Sequence, residues 1–153
     1  MWKPAKSASL SDKEIVGRRV IGNDCFSKST TSRGKEGAFR MDFFLETREG
    51  FNLSLDRLGI NTAEKGVCSS LLGDCENHAS TMQKPFVGWA VMQVMHLRSK
   101  PCALEVIPSP TLTNAYHADA LTAALDAQKR NLVAFYMATM ANLVYPPEIL
   151  SQD

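Results

Sequence analysis

Two stretches of alternating polarity, joined by one short polar turn, constrain this chain more than any other feature in it. In 39–45, Phe39, Met41, Phe43 and Leu45 alternate with Arg40, Asp42 and Phe44. In 51–56, Phe51, Leu53 and Leu55 alternate with Asn52, Ser54 and Asp56. Successive side chains on a strand point to opposite faces, so a period of two predicts strands with one buried side. Thr47-Arg48-Glu49-Gly50 has the length of a turn between antiparallel neighbours. The expectation is an antiparallel hairpin over 38–57. Its second face, with Arg40, Asp42, Asn52, Ser54 and Asp56, is either wet or lines a polar cleft.

The remaining chain supplies both helix and strand signals. Ser11-Asp12-Lys13-Glu14 fits a capping box, with Leu10 and Ile15 as a staple, and predicts a short helix over 12–16 followed by a strand at 18–21. Ser, Thr and Gly among basic residues make 22–37 a loop. A helix over 61–72 ends at Gly73, and a polar loop runs to 85. The apolar run from Phe86 reads as a strand to about Val91, then a short helix to Arg98. Leu104-Glu105-Val106-Ile107 is another strand, stopped by Pro108 and Pro110. From 118 to 144 there is no Gly or Pro, and Leu121, Leu125, Leu132, Phe135, Met140 and Leu143 fall on one helical stripe. A long C-terminal helix packed across the sheet follows, ended by Pro146-Pro147. The class is α+β, with a small antiparallel or mixed sheet built on the 38–57 hairpin. Residues 1–9 read as a flexible tail and 10–153 as one domain.

Size and composition exclude several function classes. A chain of 153 residues, 44% apolar and 22% charged, has enough apolar material for a core without metal or disulfide staples. A formal charge of +1 gives no global field toward nucleic acid or membrane. The apolar windows at 86–95 and 132–145 fall short of the ~18–20 residues that a membrane span needs. No apolar export segment opens the chain, so the expectation is a cytoplasmic protein with reduced cysteines. Cys68, Cys75 and His78 have a C-x6-C-x2-H spacing, with His96 and Cys102 as further ligands to consider. No compact cysteine pair accompanies them, so neither a metal nor another cofactor is expected. Lys28, Arg33 and Lys35, flanked by Arg18, Arg19 and Arg40, are diluted by Asp24, Glu36 and Asp42, and nucleic acid is not the expected partner.

Two segments carry chemistry. In Asn114-Ala115-Tyr116-His117-Ala118-Asp119, His117 suits a general acid or base and Asp119 an orienting carboxylate. The two share a face on a strand but not on a helix. The same residues equally fit a structural role, with Asn114 capping a helix and Asp119 in its first turn. In Leu53-Ser54-Leu55-Asp56-Arg57, Ser54 and Asp56 share one face. Arg57 there suits either a fork on a phosphate or carboxylate or an ion pair closing a strand end.

Arg18-Arg19-Val20, the Leu53–Arg57 strand and Asn114-x-x-His117-Ala118 after a Pro-x-Pro turn occur in that order. In this the chain resembles small bacterial domains of unassigned function that pair an LSVD strand with a late Asn-Pro-x-His-Ala segment. Leu55 stands here in place of Val, Ala115 in place of Pro, and a C-terminal helix is added. The resemblance implies one cleft around Arg18 or Arg19, Asp56, Arg57 and His117.

Two functions are compatible with these residues. One is a binding or protein-interaction module, self-associating or meeting a partner protein through an apolar edge of the last helix formed by Tyr136, Met137, Met140, Leu143 and Val144. The other is an enzyme acting on a phosphate-bearing or nucleotide-like substrate. His117 would be its acid/base, Arg57 with Arg18 or Arg19 its anion clamp, and Ser54 or Asp56 its orienting groups. Asn114 and Tyr116 would complete the ligand contacts.

Overall fold

The computed structural model describes residues 8–26, 39–59 and 69–145. Strand β1 spans Ile15–Ile21, and its β-branched residues suit the pleated, half-buried surface it occupies. The Ser11–Glu14 box closes as a turn and not as a helix: the Ser11 N–H donates to Glu14 Oε1 at 3.2 Å and the Glu14 N–H to Ser11 O at 3.0 Å. Glu14 is buried, and a buried carboxylate needs a cation. Arg57, on the neighbouring strand, supplies it at 2.8 Å, which holds this segment against the sheet.

Strand β2 covers Leu53–Gly59, β3 Phe86–Gln93, β4 Val106–Pro108, β5 His117–Ala120 and β6 Asn142–Val144. They form one sheet in the order β4-β5-β2-β1-β3-β6, with every pairing antiparallel. Helix α1 is Ser69–Thr81, α2 is Val94–Arg98 and α3 is Ala127–Met140. The α+β class, the antiparallel sheet and the packed C-terminal helix are all present.

The 38–57 hairpin is not. Strand β2 bonds to β5 on one edge and, from Asp56 to Gly59, to β1 on the other; where β1 leaves it, the open edge at Ser54 is met by the Arg18 side chain and not by 39–45. Met41–Phe44 instead forms a 3-10 turn. Its adjacent aromatic residues decide this: Phe44 is 2% exposed and Met41 38%, the reverse of the strand pattern. The rings of Phe39, Phe43 and Phe44 gather into one cluster, with centroids 4.9–5.9 Å apart, that packs among the core residues.

The sheet buries both faces. Val16, Val20, Leu53, Leu55, Ala118 and Ala120 belong to the larger core with Val133, Ala134 and Met137 of α3. Leu58 and Trp89 pack on the other face with Leu71 and Cys75 of α1. Gly17 sits under this second layer, where an added Cβ would lie 2.8 Å from both Leu58 Cδ1 and Trp89 Cβ.

Other boundaries also move. Gly73 lies inside α1, and the expected 73–85 loop is helical as far as Thr81. The expected helix over 118–144 is strand, turn, helix and strand in succession. Residues 117–120 are drawn into β5 by pairing with β2 and β4, and α3 starts only at the Asp126 cap, whose Oδ1 accepts the Lys129 N–H at 2.7 Å. The buried face of α3 is Val133, Ala134, Met137 and Ala138, whereas Leu132 and Phe135 of the expected stripe are 45% and 59% exposed. The residues expected at the C-terminal apolar edge turn mostly inward, with Met137 and Leu143 fully in the core. The expected strand and short helix over 86–98 are as observed. The 1–7 part of the tail, most of the 22–37 loop with Lys28, Arg33 and Lys35, the first part of the expected 61–72 helix with Cys68, and Pro146-Pro147 lie outside the described residues. No described helix is long and apolar enough to cross a membrane.

Candidate functional site

The site begins where the sheet splits. The β1–β2 register ends at Gly17↔Asp56. Beyond it β1 continues on β3 as far as Ile21, while β2 continues on β5 through Ser54 and Leu53. The inner edges of the two strands therefore part, and a cavity of about 640 Å³ opens there, bounded also by the 3-10 turn, α1 and the loop before β5. Arg18 sits in the split. Its Nη1 donates to Ser54 O at 3.3 Å and its Nε to Phe43 O at 2.7 Å, side-chain donors standing where a paired strand would bring backbone N–H groups.

Asp56 is the centre of the floor. It is buried, and its Oδ2 accepts from Arg19 Nε at 2.8 Å, Trp89 Nε1 at 2.8 Å and, more weakly, the Cys75 thiol at 3.7 Å. Its Oδ1 accepts from Arg19 Nη2 at 3.1 Å and Asn114 Nδ2 at 2.8 Å. A buried carboxylate with this many donors is satisfied as an anion, and it holds four elements together. Asn114 belongs to the set through both ends of its amide: its Oδ1 accepts the Tyr116 N–H at 2.9 Å and so shapes the loop before β5. Burial and then the Asp56 charge push the Cys75 thiol well up from its ordinary range, so it stays protonated and is no nucleophile.

Arg19 is fully committed. Besides Asp56 it reaches Asp74 Oδ2 at 2.8 Å and His78 Nδ1 at 3.4 Å. Burial opposes its charge, but the bonds and charges of Asp56 and Asp74 outweigh burial and hold the guanidinium above its ordinary range. The cavity-lining cations Arg40 and Lys84 are paired too, with Asp42 and with Asp24 (2.7 Å) respectively. Arg18 differs: among the described residues it has only carbonyl partners and the Phe43 ring, 5.4 Å from its guanidinium carbon. Burial pulls its pKa down from the ordinary value, only partly countered by Glu46.

Two imidazoles line the same cavity. His117, opposite Asp56 in the β5–β2 register, places Nδ1 3.0 Å from Ser109 O and 2.7 Å from Ser109 Oγ. His78 comes from α1, one turn after Asp74. Burial and then Arg19 hold its pKa below the ordinary value.

The expected site residues therefore separate into three groups. Arg18, Arg19, Ser54, Asp56, Asn114 and His117 come together around the cavity. Asp119 shares the strand face of His117, as a strand requires, but lies outside the lining, and the His117 ring is held by Ser109 instead. Tyr116 packs beside the second core and not in the lining. Arg57 is a correction. It lies on the opposite face, buried, with Nε 3.1 Å and Nη2 2.8 Å from the Glu14 carboxylate and Nη1 2.9 Å from Ala8 O. Strand alternation puts it opposite to Asp56, so it cannot clamp an anion beside His117. The expectation of one cleft holding both is overturned. Asp74, His78 and Ser109 were missed as partners. The first two are four residues apart and share a helix face, but only once 69–81 is known to be helical.

As a class, then, this is an α+β protein on a six-stranded antiparallel sheet with a charged cavity at a strand split. Comparison with protein-family models, curated proteins and solved structures finds no match. The roles of the residues rest on geometry.

Proposed function

We propose that the cavity binds a small organic anion and that Arg18 is its principal contact. The observation that carries this reading is the charge pattern of the wall: Arg19, Arg40 and Lys84 each hold a carboxylate in an ion pair, whereas Arg18, among the described residues, holds none and feels Glu46 only as a more distant charge. A half-buried guanidinium held only by carbonyls favours an anion that completes its fork. His117 is the group in the wall suited to proton transfer where the bound molecule is a substrate. The test is titration with methyl phosphate, followed by calorimetry and amide chemical shifts. Saturable binding with shifts centred on 17–19 and 54–56 is expected, and Arg18→Gln should weaken it at least about tenfold, since hydrogen bonds to charged groups contribute about 1.5–3 kcal/mol. Equal affinity of both proteins, with the variant folded by circular dichroism, refutes the reading.

A second reading, association of two copies through α3, is favoured by one observation, the exposure of Leu132 and Phe135 on that helix. Native mass spectrometry across a micromolar dilution series tests it, and a single-chain mass throughout excludes it.

A further inference from the structure

We propose that the two imidazoles of the cavity are fixed in opposite tautomers. Together with Arg18 they would then select a hydroxylated organic phosphate, whose hydroxyl donates to His117 and whose oxygen accepts from His78. This rests on the anion reading above and narrows it to a ligand class.

The argument starts from what each partner can do. Ser109 O is a carbonyl and only accepts, so the His117 Nδ1 it faces at 3.0 Å carries the proton. The Ser109 hydroxyl, 2.7 Å from the same nitrogen, serves as a second acceptor for that proton. In the neutral ring the Nε2 of His117 is then left with its lone pair. At His78 the logic reverses. The Arg19 guanidinium only donates, so the Nδ1 it faces at 3.4 Å offers a lone pair and the ring proton sits on Nε2. Arg19 cannot turn away from this contact, because its other nitrogens are held by Asp56 and Asp74. Neither Nε2 has a protein partner among the described residues, and both rings line the cavity that Arg18 lines.

The wall thus presents three unlike groups: a cationic fork, a neutral donor and a neutral acceptor. A simple alkyl phosphate dianion such as methyl phosphate offers acceptors alone and leaves the His117 lone pair unmet. A ligand with a hydroxyl beside the phosphate meets all three. Ser109 is a positioning residue in this scheme, since it acts through the His117 ring.

Two measurements on the full chain test the proposal. Long-range proton–nitrogen correlation spectra of the unliganded protein read each tautomer directly. The expected result is a protonated Nδ1 for His117 and a protonated Nε2 for His78, and the same tautomer at both rings overturns the proposal. Calorimetry then compares glycerol phosphate with methyl phosphate near pH 8, where both are dianions. Glycerol phosphate should bind about five- to tenfold more tightly, the worth of one or two net hydrogen bonds. His117→Phe should bring that ratio close to one. A ratio near one in the unaltered protein, with methyl phosphate still bound through Arg18, overturns this inference and leaves the anion reading standing. Absence of methyl phosphate binding overturns both.

Discussion

At the scale of single residues, one carboxylate dominates. Asp56 joins β1, β2, β3 and the loop before β5 through Arg19, Trp89 and Asn114, all at hydrogen-bonding distance. Replacing one member of a buried charged set leaves the others desolvated and unpaired, at a cost of about 3–5 kcal/mol. Asp56→Asn should therefore destabilise the protein by roughly 3 kcal/mol or more. Asp74→Asn, at the wetter end of the same arginine, should cost less than about 1 kcal/mol. Urea denaturation of both variants checks the order. Equal losses would show that Asp56 is not the hub. The sequence marks Asp56, Asn114 and His117 by their residue types but does not show that Asp56 and Asn114 lie 2.8 Å apart, because a sequence separation of 58 makes that contact a matter of sheet order.

At the scale of elements, the glycines separate what local reading can and cannot see. Gly73 reads as a helix end, yet it lies within α1, and the space where its Cβ would stand is open. Gly73→Ala should stabilise the protein by about 0.5–1 kcal/mol, the helical penalty of glycine. Gly17 reads as the end of a short helix, yet it lies in β1 beneath Leu58 and Trp89. Gly17→Ala should cost about 1–3 kcal/mol through overpacking. One substitution with two signs is checked by chemical denaturation, and a loss at Gly73 would mean that α1 does not tolerate the added methyl. The 39–45 segment teaches the same lesson. Its alternation is real, but two adjacent phenylalanines satisfy a 3-10 turn in the core, and the free edge of β2 goes to β1 and to the Arg18 side chain.

At the scale of the whole molecule, the charge arrangement sets the response to acid. Burial and then the Arg19 charge, outweighing Asp74 and Asp56, hold the folded pKa of His78 below the ordinary 6.5. The unfolded chain then binds a proton more readily, so stability falls as pH drops below about 6.5. Glu46 is the opposite type of group. Its bond to Arg48 lowers it to about 2 from an ordinary 4.5, so its contribution is full above 4.5 and is lost as pH falls toward 2. The Arg48 side chain is mostly exposed, so this second loss should stay within roughly 1 kcal/mol. Thermal unfolding between these limits should show two windows, the upper removed by His78→Gln and the lower by Glu46→Gln. A single window unaffected by His78→Gln would contradict the placement of that ring.

The sequence by itself determined the class of the fold and strands such as β3 whose period or composition is local information. It also marked the residue types around the cavity, including Arg18, Asp56, Asn114 and His117. Tertiary structure alone decided the rest. Which strands flank β2, where β1 and β2 part, and that Arg57 serves Glu14 on the far face all depend on long-range pairing. The physical reason is that neighbours along a strand alternate faces, so Asp56 and Arg57, adjacent in the chain, reach different sides of the sheet. Only the strands beside them determine what each side holds.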